Sequence, residues 1–486
     1  MTKTMTPYGI TGYGGYVPRL RMQRAAIAAA HRWMAPANMA MAKGHRAFCS
    51  WDEDSVTMAV EAARDALDIR PRQDITALAM ATTRPAFSDL QSASVVAGAL
   101  DLPANVRTLD VGQSQRAGVA GLLAQLRAAD GKALFIASDH PAGKPASTQE
   151  LSYGAGAAAF TLGSEDIVAS LVGSASCANL FVDHFRAADG KYDYFWEERW
   201  IRDEGYGKIV PETVRQALAQ ANVEPSDVSH FILASPLKGA AAMVARGCGF
   251  SPEAVAAHLD ERCGYAGTAH ACLMLADVLE RAQPGQLIVV AGFGQGCDVL
   301  VLRTTEAITG FRPRRGVARA IGEGQVHDAY LRMLSYGNAI ELEWGMRAEK
   351  PLKTAFTDQY RSSHQLASFV AGTCCQCGTV QFPQLSYCVK AGCNAPASGF
   401  QRTHLYDVPA RVLTSTADWL SYHPSPPLYV GFVQFDNDAR VLMEIVDVGQ
   451  QGLEVGTPLQ MVFRIKDVDR ARNYPRYFWK ATPVAA

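Results

Sequence analysis

The chain has 486 residues, of which 48% are hydrophobic and 19% charged, and its formal net charge at pH 7 is −1. This length exceeds what one hydrophobic core normally serves, so two or three domains are expected. The nearly neutral charge argues against nucleic acid and against a membrane surface as partners, because both attract strongly basic proteins.

The beginning of the chain and its cysteines favour a cytoplasmic protein. Residues 1–16 lack the basic segment and apolar run of a secretory signal. No stretch approaches the roughly 18 uninterrupted apolar residues of a membrane span. Eleven cysteines in a chain without an export signal favour reduced thiols and metal ligation over disulfide bonds.

Apolar, β-prone runs alternate with amphipathic helices through residues 1–305. The predicted strands are 75–83, 107–112, 132–139, 157–163, 228–235, 286–294 and 298–304. Predicted helices include 54–67, which begins on an aspartate that can cap it, and 116–129. The strand-helix-strand order occurs before about residue 170 and again after about residue 207. This pattern predicts an α/β domain of two similar halves, with helices on both faces of its sheet.

The pattern changes after residue 305. Residues 306–353 contain the basic segment Phe311-Arg-Pro-Arg-Arg315 and one short predicted helix, 328–336, and are interpreted as a connector. Residues 354–397 are expected to hold a helix and a zinc ribbon. Residues 398–486 are predicted to form a small closed barrel, with the OB fold as the leading candidate. The predicted strands there are 410–416, 428–435, 440–448 and 460–465.

Two pairs of cysteines have the spacing of a metal site. Cys374-x-x-Cys377 and Cys388-x4-Cys393 can supply four thiolates to a tetrahedral Zn²⁺ ion. Cys375 is an alternative to Cys374, and the second spacing is wider than the usual two residues. No histidine or open coordination position is indicated, so the zinc is expected to be structural.

The segment that holds these cysteines, with the β-rich tail to about residue 480, resembles the DUF35 family. Members of that family combine a rubredoxin-like zinc ribbon with an OB fold. The matching residues include Gly378-Thr-Val-Gln-Phe-Pro383, between the two cysteine pairs. The module commonly accompanies thiolase-like enzymes that act on acyl-CoA, sometimes as a separate subunit. The resemblance therefore implies acyl-CoA chemistry and allows for a thiolase-like partner subunit.

Residues 6 to 305 resemble the thiolase superfamily, in particular the ketoacyl synthase III-like hydroxymethylglutaryl-CoA synthases of the archaeal and bacterial type. The resemblance implies a five-layer αβαβα domain and a homodimer paired through a sheet edge. It also implies an acyl-CoA or acyl-carrier-protein thioester as the ligand. The matching segments are Gly9-Ile-Thr-Gly-Tyr-Gly-Gly-Tyr-Val-Pro-Arg19, Asp52-Glu-Asp54, Tyr153-Gly-Ala-Gly-Ala-Ala-Ala159 and Gly292-Phe-Gly-Gln-Gly296.

The catalytic residues of that family are replaced at the matching positions. Gln115 stands where the family has a nucleophilic cysteine at a helix N-terminus, a place that favours a thiolate. Thr82 stands in place of a glutamate, Ala234 in place of a histidine and Tyr265 in place of an asparagine. Because a carboxamide cannot carry an acyl group, the usual route through an acyl-enzyme is not expected.

Seven residues are candidates for the site. The candidate catalytic residues are Gln115, Tyr265 and His270, and the candidate substrate-binding residues are Thr82, Arg84, Ala234 and Gly294. Gln115 and the backbone N–H of Gly294 are expected to hold an enolate oxygen, while Tyr265 moves a proton. Arg84 is available for a carboxylate or phosphate. Structural roles are also open, since Tyr265 can fill space and His270 can be a buried histidine with satisfied hydrogen bonds.

Three interpretations of the function remain open from the sequence. The first is an enzyme that cleaves or forms a carbon–carbon bond, or decarboxylates its substrate, without an acyl-enzyme. The second is a non-catalytic acyl-CoA-binding or scaffold partner of a thiolase. The third is an acyltransferase with a relocated nucleophile, for which Cys263 and Cys272 flank the altered turn. Both thiols can equally be ordinary buried side chains.

Overall fold

The computed structural model describes residues 7–68, 70–349 and 352–485. It divides into two compact units. Unit 1 comprises Met1–Ser50, Asp54–Val96 and Leu102–Ile340, and unit 2 comprises Trp51–Glu53, Ala97–Asp101 and Glu341–Ala486. Parts of three predicted regions lie outside the described residues: positions 1–6 and 69 of the first domain, 350–351 of the connector and 486 of the barrel.

The chain from residue 7 to residue 340 alternates strands and helices. The strands are β1 (Gly9–Tyr16), β2 (Leu20–Gln23), β3 (His45–Ala47), β4 (Ile75–Ala81), β5 (Arg107–Val111), β6 (Lys132–Asp139), β7 (Gly156–Gly163), β8 (Ala169–Ala178), β9 (His184–Phe185), β10 (Tyr194–Phe195), β11 (Val228–Leu233), β12 (Leu287–Phe293), β13 (Gly296–Thr304) and β14 (Gln325–His327). The α-helices are α1 (Arg24–Ala30), α2 (Ser55–Leu67), α3 (Ser92–Ala99), α4 (Ala117–Ala128), α5 (Thr148–Ser152), α6 (Glu198–Trp200), α7 (Val210–Ala221), α8 (Ala240–Cys248), α9 (Asp260–Cys263), α10 (His270–Leu279), α11 (Val317–Gly322) and α12 (Tyr330–Tyr336). A π-helical segment, Ile201–Ile209, joins α6 to α7.

Unit 1 contains a nine-stranded mixed sheet in the order β11-β12-β13-β8-β1-β7-β6-β4-β5. On one side, β4 and β6 are parallel, and β6, β7 and β1 are successively antiparallel. On the other side, β11 and β12 are parallel, and β12, β13 and β8 are successively antiparallel. The pairing pattern therefore repeats, and the two halves meet where β1 pairs with β8. This repeat confirms the predicted pair of similar halves.

Two helices pack between the halves. Helix α4 contacts β4 and β6 of the first half as well as β12 and β13 of the second, and α10 contacts β1, β7, β11 and β12. Every residue of α10 is buried. The two helices also contact each other. Because sheet strands cover both sides of this helical layer, the arrangement agrees with the predicted αβαβα architecture of the α/β domain.

The seven strands predicted in this region are all present, and the strand at Lys132–Asp139 has the predicted bounds. Helix α2 begins after Asp54, whose carboxylate accepts from the backbone N–H of Thr57 in a capping box, as its sequence position predicts. Two predicted strands run past the observed ends of β4 and β11 by two residues. Thr82, Thr83, Ala234 and Ser235 lie instead in the loops that follow these strands.

Residues 306–340 belong to unit 1, so the unit boundary lies within the stretch interpreted as a connector. Strand β14 pairs in parallel with β2, and Tyr330–Tyr336 forms the helix expected at 328–336. The buried carboxylate of Asp65 accepts hydrogen bonds from the backbone N–H groups of Gly15, Arg315 and Gly316. These bonds fix the chain after β13 to the sheet.

Unit 2 is mostly β structure. Its helices in the described range are α13 (Phe356–Arg361) and α14 (Ser363–Leu366), and its strands are β15 (Val370–Cys374), β16 (Val380–Gln381), β17 (Phe400–His404), β18 (Ala410–Asp418), β19 (Leu428–Phe435), β20 (Arg440–Glu444), β21 (Pro458–Asp469) and β22 (Tyr474–Pro483). A three-stranded sheet has the order β16-β15-β17, and a five-stranded antiparallel sheet has the order β20-β19-β18-β21-β22. None of the helices formed by the described residues of either unit combines the length and apolar character needed to cross a bilayer.

Charged side chains are buried inside unit 2. The Lys480 ammonium donates to Asp52 and Glu444, at 3.0 Å each. The Arg464 guanidinium pairs with Glu53 and, at 2.8 Å, with Asp447. Both cations are at most 2% exposed. Because a buried charge without its partner is costly, these pairs fix the short segment 51–53 within the β unit.

The contact between α4 and α10 yields a test with a matched control. A Cβ added to Gly118 would lie 2.2 Å from the carbonyl oxygen of Thr268, whereas a Cβ at Gly247, in α8, meets nothing within 4 Å. Gly118→Ala should lower the free energy of unfolding by about 1–3 kcal/mol through overpacking. Gly247→Ala should raise it by about 0.5–1 kcal/mol through helix propensity. Denaturant unfolding of both variants measures whether the free energy of unfolding falls or rises. Equal changes in the two variants would contradict a close contact at Gly118.

Candidate functional site

A cavity of about 890 Å³ opens in unit 1. It lies where β4, β5 and β12 end and where α4 begins, the edge of an α/β sheet at which ligands generally bind. Three of the predicted site residues, Thr82, Gln115 and Gly294, line it. The wall also contains polar and charged residues that the sequence did not single out, among them Thr83, Asp110, Ser114, Asp183, His184, Arg186 and Asp193.

Gln115 and Tyr265 are brought together by the packing of the two central helices. Gln115 lies just before α4 and Tyr265 just before α10. The N–H of Gly118 donates to the Thr268 hydroxyl oxygen at 2.7 Å, which holds the two helix starts side by side. The Tyr265 hydroxyl donates to Oε1 of Gln115 at 3.3 Å. This bond occupies the amide oxygen, so the amide N–H groups are the part of Gln115 available to a ligand.

Tyr265 and His270 are both neutral at physiological pH. Burial raises the pKa of Tyr265 well above its ordinary value, and the charges of nearby groups, including Asp183, act in the same direction. Burial also lowers the pKa of His270 to about 3, assisted by the charge of His258. Tyr265 therefore keeps its proton and can donate a hydrogen bond, while His270 remains an uncharged imidazole.

His270 is not among the residues that line the cavity, and both of its ring nitrogens make hydrogen bonds. Nδ1 accepts from the backbone N–H of Ala266 at 3.1 Å, and Nε2 donates to the carbonyl oxygen of His258 at 2.6 Å. Its ring centroid is 5.2 Å from that of Tyr265. The structure thus places His270 where it supports the loop that carries Tyr265.

Gly294 is brought very close to the start of α4. A Cβ there would lie 3.1 Å from Ser114 Oγ and 3.3 Å from the backbone nitrogen of Gln115, so only glycine allows this approach without displacement. The Ser114 hydroxyl donates to the Gly294 carbonyl at 3.1 Å. The Gly294 N–H, expected to face an oxyanion, donates to the carbonyl of Gly296 at 3.0 Å.

Thr82 and Ala234 occupy different environments. Thr82 follows β4 and is held by a bond from its N–H to the carbonyl of Val111 at 3.0 Å. Its side chain is among those that line the cavity. Ala234 follows β11, packs partly buried against the hydrophobic core, and lies outside the set of lining residues.

Arg84 is held in a charged cluster beside the cavity. It donates to the carbonyl of Lys191 at 2.8 Å and lies 3.3 Å from the Asp193 carboxylate. Arg186 contacts the same carboxylate at 3.0 Å. Two arginines thus share one aspartate, and only Arg186 and Asp193 line the cavity.

The cavity wall also contains an aspartate–histidine pair that no sequence motif indicated. His184 Nδ1 and Asp183 Oδ2 are 2.6 Å apart, and both side chains are largely buried. Burial lowers the pKa of His184, but the hydrogen bond and charge of Asp183 outweigh it, and the net pKa is raised. An adjacent Asp-His in a sequence is too common to mark a site. Only the fold shows that the segment after β8 contributes to this wall.

Four thiols converge in unit 2. The Sγ atoms of Cys374, Cys377, Cys388 and Cys393 all lie within 4.8 Å of one another, with Cys374–Cys393 at 3.7 Å and Cys377–Cys388 at 3.5 Å. Zn–S bonds of about 2.3 Å in a tetrahedron place sulfur atoms about 3.8 Å apart, so the geometry fits a zinc ion. Cys375 is exposed and outside the group, which identifies Cys374 as the partner of the other three.

The remaining candidate nucleophiles are poorly placed. Burial raises the pKa of the Cys263 thiol to about 11 and that of Cys272 to about 12. No cysteine of the described residues lines the cavity. Since the thiolate is the reactive form, neither thiol is suited to attack a thioester.

Comparison with known proteins supports the fold and the family. Residues 218–302 match the model of the 3-oxoacyl-[acyl-carrier-protein (ACP)] synthase III C-terminal family. The chain is 29% identical over 337 residues to the hydroxymethylglutaryl-CoA synthase of Methanopyrus kandleri, covering 66% of this chain and 95% of the relative. It is 30% identical over 325 residues to the hydroxymethylglutaryl-CoA synthase of Aeropyrum pernix, and the match covers 63% of this chain and 87% of that relative. The solved structure of MvaS in complex with 3-hydroxy-3-methylglutaryl coenzyme A matches with a TM-score of 0.58 and 20% sequence identity. The match covers 72% of this chain and 94% of the MvaS chain.

Unit 1 thus has the thiolase-like fold of the acyl-condensing enzymes, as the sequence predicted. By its identity to the relatives and its coverage of them, the chain belongs to the hydroxymethylglutaryl-CoA synthase family.

The pKa values of His184 and His270 should be shifted in opposite directions from the ordinary histidine value of about 6.5. In an NMR titration of histidine-labelled protein, His270 should stay neutral from pH 8 to pH 5, because burial lowers its pKa to about 3. His184 should titrate above the ordinary value, because Asp183 stabilises its cation. Asp183→Asn should move the His184 midpoint down and leave His270 unchanged. His184→Asn and His270→Asn assign the signals, and an unmoved His184 midpoint would contradict the pairing.

Proposed function

We propose that the protein acts on an acyl-CoA or acyl-carrier-protein thioester without forming an acyl-enzyme. The reaction makes or breaks a carbon–carbon bond, or removes a carboxylate, through an enolate of the thioester. The observation that supports this most directly is Gln115, which lines the cavity at the start of α4 with Tyr265 on its amide oxygen. Membership of a family whose members are named for hydroxymethylglutaryl-CoA supports the thioester ligand.

A covalent route has no evident cysteine nucleophile. The amide of Gln115 cannot accept and release an acyl group, and the described lining residues include no cysteine. Cys263 and Cys272 are buried thiols with raised pKa values. An acyltransferase with a relocated cysteine is therefore a weaker proposal than enolate chemistry in a non-covalent complex.

The groups present match what an enolate requires. The amide N–H of Gln115 can donate to the thioester oxygen, because Tyr265 holds the amide oxygen. The N-terminus of α4 adds a partial positive charge at the same place. Removal of one such donor costs enzymes about 10²–10³ in kcat. Tyr265 stays protonated and can return a proton to carbon, while His270 positions its loop.

One observation favours the alternative of a non-catalytic acyl-CoA-binding or scaffold partner of a thiolase. The Gly294 N–H, which would be a second donor to the enolate oxygen, already donates to the carbonyl oxygen of Gly296. A protein of this kind would bind thioesters and release them unchanged. Turnover therefore separates the two proposals.

For unit 2 we propose a structural zinc ribbon followed by an OB-like barrel of the DUF35 type. The four convergent thiols adjoin the three-stranded sheet, and the distances between their sulfur atoms fit a bound Zn²⁺ ion. A bridge between Ile445 and Ala481 connects the end of β20 to β22, the two outer strands of the five-stranded sheet. Joining the outer strands in this way supports a closed barrel.

We further propose a cytoplasmic homodimer, on the resemblance to a superfamily whose members pair through a sheet edge. In the nine-stranded sheet of unit 1, β5 is an edge strand. Its Leu109 side chain is 49% exposed. A thiolase-like partner subunit is an additional proposal that follows from the DUF35 resemblance alone.

Gln115→Ala should reduce turnover of acyl-CoA substrates by about 10²–10³-fold, because it removes the enolate donor. The assay uses 3-hydroxyacyl-, 3-oxoacyl- and malonyl-CoA with product analysis and intact-protein mass. No acyl mass should be added to the wild type. Gln125→Ala, on the same helix but outside the cavity wall, is the control and should retain activity. A stable acyl adduct would contradict the proposal, and binding without turnover would favour the scaffold.

Metal analysis of the purified protein should find about one zinc per chain. Cys393→Ser should lose the metal, because it removes one of the four convergent thiols. Cys375→Ser should keep it, because that thiol is exposed and outside the group. Well under one zinc per chain in the wild type would rule out the ribbon, and metal loss in Cys375→Ser would reassign the ligand.

A further inference from the structure

The Asp183–His184 pair has the geometry of an oriented base. Asp183 Oδ2 lies 2.6 Å from Nδ1 of His184, which places the ring proton on Nδ1 and leaves Nε2 as the acceptor. The ring is further held by stacking on Phe195, with centroids 5.7 Å apart. Both members of the pair line the same cavity as Gln115.

The pair is also near the groups proposed to handle the enolate. The charge of Asp183 contributes to the raised pKa of Tyr265, after the larger effect of burial, so the two side chains lie within electrostatic range. Tyr265 in turn is bonded to Gln115.

We propose that His184, oriented by Asp183, is the base that takes the proton of a substrate hydroxyl, and that the substrate is a 3-hydroxyacyl thioester. This inference rests on the proposed function. His184 Nε2 accepts the proton of the 3-hydroxyl group, and the O–H electron pair forms the carbonyl. The bond between C2 and C3 breaks, and its electron pair becomes the thioester enolate at Gln115. The His184 cation then returns its proton to C2, which gives a carbonyl compound and the shortened thioester and restores neutral His184; the reverse sequence forms the bond.

A base at this place distinguishes aldol chemistry from decarboxylation. Loss of CO₂ from a malonyl group needs an enolate site but no base. The cavity wall offers such a proton acceptor in His184, which suits a hydroxyl substrate.

The charges around His184 fix the sign of the pH dependence. Asp183 on its own segment and Asp193 raise its pKa, whereas burial and Arg186 lower it. His184 must be neutral to accept a proton, so kcat/KM for cleavage should rise with pH through its pKa. Asp183→Asn removes the nearest negative charge and should move this rise to lower pH.

The experiment follows cleavage of 3-hydroxy-3-methylglutaryl-CoA and 3-hydroxybutyryl-CoA by the full chain, with malonyl-CoA in parallel. His184→Asn should lower kcat/KM by about 10²–10³-fold, within the range of general-base catalysis. In His184→Gly, added imidazole should restore part of the rate. His364→Asn is the control, since that histidine lies in unit 2 with its side chain 67% exposed. Asp183→Asn tests the shift of the pH profile independently of any folding defect in the His184 variants.

The outcomes separate this inference from the proposed function. Loss of cleavage in His184→Asn, with imidazole rescue and a downward shift of the profile in Asp183→Asn, supports it. Cleavage within about 3-fold of wild type in His184→Asn overturns it, as does decarboxylation of malonyl-CoA without cleavage of either 3-hydroxyacyl-CoA; both leave enolate chemistry standing. If no thioester is turned over, the proposed function fails and this inference falls with it.

Discussion

The architecture of unit 1 depends on the close contact of its two central helices. The N–H of Gly118 bonds to the Thr268 hydroxyl, and the absence of a side chain at Gly118 lets α4 approach the Thr268 backbone. Each helix is covered by strands of both half-sheets, so their starts can meet only at one edge of the sheet. That meeting places Gln115 beside Tyr265 and opens the cavity next to them. A single glycine contact therefore connects core packing to the wall of the cavity.

Local patterns in the sequence predicted much of this arrangement. The strands of unit 1 were visible as apolar runs, the Asp54 cap as an aspartate before an amphipathic stretch, and the thiol cluster as two cysteine pairs. The prediction that Gln115 belongs to the site came from a family resemblance. Asp183 and His184 could not be found in this way, because their importance comes from how the segment after β8 folds toward β4 and α4. Likewise, the sequence alone could not choose between Cys374 and Cys375, since the choice depends on which side chain faces the other thiols.

Buried charge is used differently in the two units. In unit 2, Lys480 and Arg464 each pair with two carboxylates, which come from several parts of the chain. In unit 1, two arginines share the carboxylate of Asp193, and Asp183 pairs with His184. The pairs of unit 2 hold a β structure together. Those of unit 1 lie on or beside the wall of a cavity.

The repeated pairing of the two half-sheets has a consequence for how such a protein diverges. Helices α4 and α10 occupy equivalent places in the repeat, yet the residues at their starts differ: Gln115 borders the cavity, whereas His270 is tied to two backbone groups. A repeated scaffold offers two copies of the same helix start. The start of α10 can therefore hold the backbone geometry while the start of α4 is left to border the cavity. Substitutions at the α4 start can then change the cavity wall without disturbing the packing behind it.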